Sequence, residues 1–205
     1  MSHSPPTLLS TTILLVRRHG VACMISDGQV TSSASSTVLK RGASKVKRAG
    51  KGGVLVGFAG GGADALALFS RFESKLEEYQ GNFQRAVVEL AMDWRTDRAL
   101  RQLQAQMVVA NRDKSFLVMG NGDLLEPDEE EGLLAIGSGG NFALAAARAL
   151  LDHTDYDAEK IAREAMKVAA DLCVYTNDRF TVETLDAKDA ASQAAARQAA
   201  MGRQS

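Results

Sequence analysis

The sequence predicts an α+β fold: two antiparallel sheets stacked face to face, each carrying a pair of helices on its outer side, a four-layer αββα sandwich. Three observations predict it. The elements run in blocks (strands, two helices, strands, two helices, strand) rather than as alternating βαβ units. The strand candidates are near-continuous apolar runs with poor alternation, as strands covered on both faces are. Each helix candidate keeps an apolar face at spacings of three and four and charges the opposite face.

Taken in order, Thr12–Arg18 and Val21–Ser26 are apolar runs parted by His19-Gly20 and read as a buried hairpin. Asp27-Gly28 is a turn, and the small polar stretch 31–36 reads as a loop. Short strands are expected at Thr37–Lys40 and 45–48, on either side of Gly42, and a buried strand at 54–59 ends at Gly60-Gly61-Gly62. One helix follows with Ala65, Phe69, Phe72 and Leu76 inward, and a second with Phe83, Val87, Leu90 and Trp94 inward. Strands return at 106–111 and Ser115–Met119, the latter closed by the hairpin turn Gly120-Asn121-Gly122. Residues 126–131 form a solvated acidic loop before the strand Leu133–Gly137. Helices are expected at 141–151 and 158–175, the second with Ile161, Ala165, Val168 and Leu172 on its apolar face, then a final strand at 180–185. The tail 187–205 is Ala-rich and polar with no apolar face, a marginal helix or a disordered segment.

The chain has 205 residues, ordinary globular composition and a formal net charge of −1, so it lacks the basic excess of a nucleic-acid binder. No apolar run is long enough to span a bilayer. Residues 1–10, with Pro5-Pro6 at their centre, have neither the basic nor the apolar region of a secretory signal. Cys23 and Cys173 are far apart in sequence and His3, His19 and His153 are scattered, which suits a cytoplasmic chain with buried thiols and no histidine-built metal site.

Thr11 stands at the boundary between the dissimilar decapeptide 1–10 and the first strand. If residues 1–10 are cut away, one residue carries both a hydroxyl nucleophile and a free α-amine, which titrates near ~8 and serves as a base at neutral pH. Such a hydroxyl needs a nearby positive charge. A lysine such as Lys45 or Lys47 would supply it, with an aspartate such as Asp27 holding the lysine in place. Each has a plainer reading, Asp27 as a turn residue and Lys45 and Lys47 as solvated edge lysines. Lys45 and Lys47 share one strand face, with Val46 opposite. Gly60-Gly61-Gly62 before a helix suits either a phosphate or an oxyanion, and its spacing matches no nucleotide-binding motif. Ser138, in Gly137-Ser138-Gly139-Gly140, is a helix N-cap or a polar neighbour of the nucleophile.

An ordered set of motifs carries a resemblance: Thr11-Thr12-Ile13, Arg17-Arg18-x-Gly20, Asp27-Gly28-Gln29, Lys45-Val46-Lys47-Arg48, Gly57-Phe58-Ala59-Gly60-Gly61, Asp93-Trp94-Arg95-Thr96-Asp97-Arg98, Gly120-Asn121-Gly122-Asp123, Ile136-Gly137-Ser138-Gly139-Gly140 and Tyr175-Thr176-Asn177. Over about residues 11–185 the chain resembles the HslV (ClpQ) family of bacterial proteasome-like threonine peptidases. The resemblance implies an N-terminal-nucleophile hydrolase fold and a homododecamer of two stacked hexameric rings. It implies a cytoplasmic ATP-dependent protease of the stress response, fed with unfolded or tagged polypeptides by a separate hexameric ATPase, HslU. Residue by residue, Thr11 falls on the nucleophile, Asp27 and Lys45 on its charged partners, Gly60 on the oxyanion amide and Ser138 on the serine beside the nucleophile. Ala170, Cys173 and Thr176 fall on a sodium site built from backbone carbonyls, with Ala170 in place of the typical glycine. The stretch from Asp27 to Lys45 is two residues longer than usual in this family, and the tail extends past the usual end. The implied organisation is a propeptide at 1–10, a peptidase domain at 11–186 and the tail. Two rivals are a catalytically silent ring protein, which could dispense with Thr11, Asp27 or Lys45, and a small-molecule amidase of the same broad fold.

Overall fold

Both residues of the His19-Gly20 turn have positive φ, 52° and 78°, as a two-residue hairpin between right-twisted strands requires. The turn joins β2 (Thr12–Arg18) to β3 (Val21–Ser26), the centre of the molecule. The computed structural model describes residues 8–9, 11–32, 35–98, 100, 103, 105–128 and 132–186. The tail 187–205 and the rest of segment 1–10 lie outside the described residues.

The other strands are β1 (Leu8–Leu9), β4 (Val30–Ser32), β5 (Thr37–Lys40), β6 (Val46–Ala49), β7 (Val54–Gly60), β8 (Ala105–Ala110), β9 (Ser115–Met119), β10 (Leu124–Leu125), β11 (Leu133–Gly137) and β12 (Thr181–Asp186). The helices are α1 (Gly62–Glu78), α2 (Phe83–Thr96), α3 (Gly140–His153) and α4 (Ala158–Leu172). One antiparallel sheet runs β11-β2-β3-β12 and the other β10-β9-β8-β7-β6.

Three apolar layers follow from the two-residue period of the strands. On β2, Ile13 and Leu15 face the other sheet, whereas Leu14 and Val16 face α3 and α4. On β7, Leu55 and Ala59 turn inward between the sheets, and Val56 and Phe58 turn toward α1 and α2. This is the αββα order expected, and it explains the missing alternation. A fully buried Phe72 or Leu90 contributes about 1.5–3 kcal/mol by removing apolar surface from water.

The expected inward face of α2 is buried at every position. On α1 the buried line is Leu68, Phe72 and Leu76, with Ala65 and Phe69 on its flank. On α4 the expectation fails toward the C-terminus: Val168 and Leu172 are exposed, and small residues such as Ala162, Ala165 and Ala169 make the contact instead. Alanine lets α4 lie close to α3 and the sheet, which rotates the larger side chains outward. The stretch expected to be a loop begins as strand: Thr31 and Ser32 belong to β4, part of a small third sheet ordered β1-β4-β5.

Candidate active site

Thr11 sits immediately before β2 and is 7% exposed. Its carbonyl accepts the backbone N–H of Ser138 at 2.9 Å, which ties it to the end of β11. The approach depends on Gly137, at φ +87°, where an added Cβ would lie 1.8 Å from the Thr11 carbonyl oxygen. The next residue fixes the register. Thr12 donates its N–H to Asp27 Oδ1 at 2.8 Å. Its hydroxyl accepts from the Gly139 N–H at 2.9 Å and shares a 2.7 Å hydrogen bond with Thr176 Oγ1.

Asp27 follows β3 and is fully buried. Its Oδ2 accepts from the Gln29 N–H at 2.8 Å and the Asn177 N–H at 3.5 Å, and its Oδ1 receives Lys45 Nζ at 2.7 Å. A buried carboxylate needs such donors to offset its lost hydration. Lys45 stands just before β6 with its side chain 9% exposed, and its ammonium also donates to the Gln29 carbonyl at 2.6 Å. Burial pushes the Lys45 ammonium below the ordinary lysine range, while the charge and hydrogen bond of Asp27 oppose that shift.

Thr11, Lys45, Lys47, Phe58, Gly60 and Leu66 line one cavity of about 290 Å³. Gly60, at φ +133°, ends β7, and Gly61 takes the N-cap position of α1. Gly60 and Gly62 both line the cavity, so the positive N-terminal end of α1 lies beside it, where an anion is favoured. The edge of β4 pairs with β1, Leu8 with Ser32 and Leu9 with Thr31. Val30 at the start of β4 also lines the cavity.

The expected Thr11, Lys45 and Gly60 thus meet at one cavity, with Asp27 behind Lys45. Ser138 adjoins Thr11, but the N-cap position of α3 is Gly139, so Ser138 is no cap. The Ser138 hydroxyl lies 3.5 Å from the Thr11 carbonyl oxygen, the far limit of a hydrogen bond. Ala170 occupies the last turn of α4, Cys173 is its C-cap, and the Thr176 N–H donates to the Cys173 carbonyl at 3.0 Å. Among the described residues no cluster of His, Cys, Asp or Glu forms a metal site. Cys23 is no rival nucleophile, because burial pushes its thiol up to about 12.

Sequence reasoning assigned no role to Gln29 or Asn177. Gln29 clamps the lysine through its carbonyl, and its side chain donates to Thr31 Oγ1 and the Val174 carbonyl. Asn177 accepts the Gly28 N–H at 3.0 Å and donates to the Arg41 carbonyl at 3.0 Å. Both residues sit inside quoted motifs, which was their signal. Contacts made through the backbone carry no residue signature of their own.

A family model described as proteasome subunit matches residues 8–185. Among solved structures, the chain is similar to eukaryotic HslV from Trypanosoma brucei, with 45% identity and a TM-score of 0.80 over 85% of this chain and 99% of that one. It also shares its fold with Thiobacillus denitrificans BPH in complex with epoxomicin, at 21% identity and TM-score 0.64 over 85% of this chain and 98% of that one. BPH of the same organism in a second structure matches at 20% identity and TM-score 0.62, over 85% of this chain and 97% of that one.

Proposed function

The chain belongs to the proteasome-subunit family as an HslV-type threonine peptidase of the N-terminal-nucleophile class, and from there we propose that it is the proteolytic half of a two-component, ATP-dependent protease whose nucleophile is Thr11. Removal of residues 1–10 turns the Thr11 nitrogen from an amide into an amine. Thr11 Oγ then attacks the scissile carbonyl, and the amine takes the hydroxyl proton through a water. Lys45 holds positive charge beside both groups, Asp27 fixes Lys45, and the Gly60 N–H stabilises the oxyanion. Collapse of the tetrahedral intermediate expels the amine product and leaves an ester on Thr11, which water hydrolyses. Ser138 holds the Thr11 carbonyl and so sets the reach of its hydroxyl.

The observation that carries this reading is the buried 2.7 Å ion pair between Lys45 and Asp27, opening onto the cavity that Thr11 lines. A buried pair of this kind is weak evidence of stability, and its cost is better accounted for by chemistry.

Ala170, Cys173 and Thr176 would hold a sodium ion through their carbonyls. Ala170 and Cys173 stand at the C-terminus of α4, where carbonyls lack helical partners, and Thr176 follows in the adjoining turn, which suits a hard cation. Such an ion would stiffen the loop that brings Thr176 to Thr12, and sodium-dependent thermal stability would report it. The working form is a homododecamer of two stacked hexameric rings. A hexameric HslU-type ATPase in the cytoplasm delivers unfolded or tagged proteins, in the setting of a stress response. The chain has no nucleotide motif, so ATP is spent by that partner.

Intact-mass measurement tests the centre of the proposal. Active preparations are expected to start at Thr11, and Thr11→Ala to be inactive. Full activity from protein that retains residues 1–10 on every chain would overturn it.

A further inference from the structure

The cavity beside Thr11 has an apolar body and an uncompensated cation. Phe58, Ala65, Leu66 and Val30 form its apolar part. The two lysines on it differ. Lys45 is neutralised by Asp27 at 2.7 Å. Lys47 has no carboxylate partner among the described residues, and its ammonium rests over the ring of Phe69, 4.8 Å from the centroid. Phe69 in turn meets Phe58 edge to face at 6.0 Å. Phe58 is 5% exposed, so this aromatic pair is a fixed support rather than a loose surface contact. A cation–π contact orients an ammonium without neutralising it. No Asp or Glu is among the residues lining the cavity.

We propose that Lys47 is a specificity-determining residue. The cavity receives the substrate side chain just before the scissile bond, accepts apolar chains and those ending in a carboxylate, and rejects lysine and arginine. This rests on the peptidase reading with Thr11 as nucleophile. An apolar chain gains from the walls and leaves Lys47 at the solvent edge. A glutamate lays its methylenes on the same walls and presents its carboxylate to Lys47. A lysine brings a second positive charge to a partly desolvated ammonium, and like-charge juxtaposition is an efficient means of exclusion.

The experiment measures kcat/KM of purified active enzyme on three fluorogenic peptides, identical except for Leu, Glu or Lys before the cleaved bond. Wild type is expected to rank Leu above Glu above Lys. Lys47→Met, which keeps the apolar stem, should lower the Glu-to-Lys ratio about 10-fold, a ratio read within one variant and so independent of its overall rate. Lys47→Glu should invert the ratio. Raising salt should shrink the wild-type ratio, a readout that needs no variant to fold. Wild type cleaving the Lys peptide as well as the Glu peptide overturns the proposal, as does an unchanged ratio in both variants. Hydrolysis of all three peptides that persists in Thr11→Ala would instead overturn the peptidase reading beneath it.

Discussion

Lys45 is the residue on which chemistry and stability part company. Removing its side chain leaves Asp27 with the N–H groups of Thr12 and Gln29 still donating, so the carboxylate is not stranded. Lys45→Ala is therefore expected to fold and assemble while turnover falls by more than about 100-fold, the scale of losing one preorganised charge in a catalytic site. Peptidase assay beside sedimentation checks it; a normally active variant would remove Lys45 from the mechanism. Lys47 is unsuitable as the control, since it lines the same cavity, and Lys167, exposed on α4 and paired with Glu164, serves instead. The wild-type pH profile carries the same information. If the charged ammonium is the working form, activity falls as Lys45 deprotonates. Because burial lowers that pKa, the alkaline limb should come below the 10.5 of a free lysine. The acid limb should follow the Thr11 amine, below the ~8 of a free α-amine because the Lys45 charge lies beside it. A profile flat to the ordinary lysine value would contradict the role.

At the scale of elements, the site is made by strand ends that must approach more closely than side chains allow. The β11 end reaches Thr11 only because residue 137 has no Cβ and can hold φ at +87°. Gly137→Ala is expected to cost about 1–3 kcal/mol of stability and most of the activity, since either Thr11 or the Ser138 turn must move. Gly42→Ala, with open space around it and no positive φ, should be neutral. Thermal melts and peptidase rates compare the two, and equal effects would sink the account. The same elements show what could be read in advance. The β2–β3 hairpin, Ser115–Met119 and Leu133–Gly137 were legible to the residue, because a buried strand between turn signals has little freedom in its ends. The strand β4 was not, because its Thr and Ser owe their structure to the neighbours they pair with, not to propensity. The outer turn of α4 was misread for a related reason: periodicity finds an apolar face but not the face that alanines allow to pack closest. In the site, Thr11, Asp27 and Lys45 were legible from side-chain chemistry and resemblance, whereas the Gln29 clamp on Lys45 works through a carbonyl that every residue has.

The whole molecule leaves unexplained apolar surface on the α3–α4 layer. Leu172 is 61% exposed, Val174 81%, and Phe142 and Val168 41% each. Single exposed apolar residues are ordinary, but two large ones stand almost together in sequence, Leu172 as the last residue of α4 and Val174 just beyond it. Val174 is also the residue whose carbonyl receives the Gln29 side chain, and the Gln29 carbonyl holds Lys45. Packing of a neighbouring subunit on this face would therefore brace the segment that positions Lys45. Assembly and activity should then be linked. On the proposed function, the wild-type chain is expected to sediment as a large closed particle, weakly active alone and strongly raised when an HslU-type ATPase and nucleotide are added. Leu172→Asp places a charge where that face would be desolvated and should shift the protein to smaller species. Its helix would remain intact, because Leu172 is 61% exposed and is not one of the buried residues of α4. Peptidase activity should fall with the loss of the particle and return in whatever fraction still assembles. Sedimentation velocity with activity measured across the gradient decides it. A fully active wild-type monomer, or a Leu172→Asp variant that assembles and cleaves as wild type does, would show that this face carries neither the assembly nor the coupling.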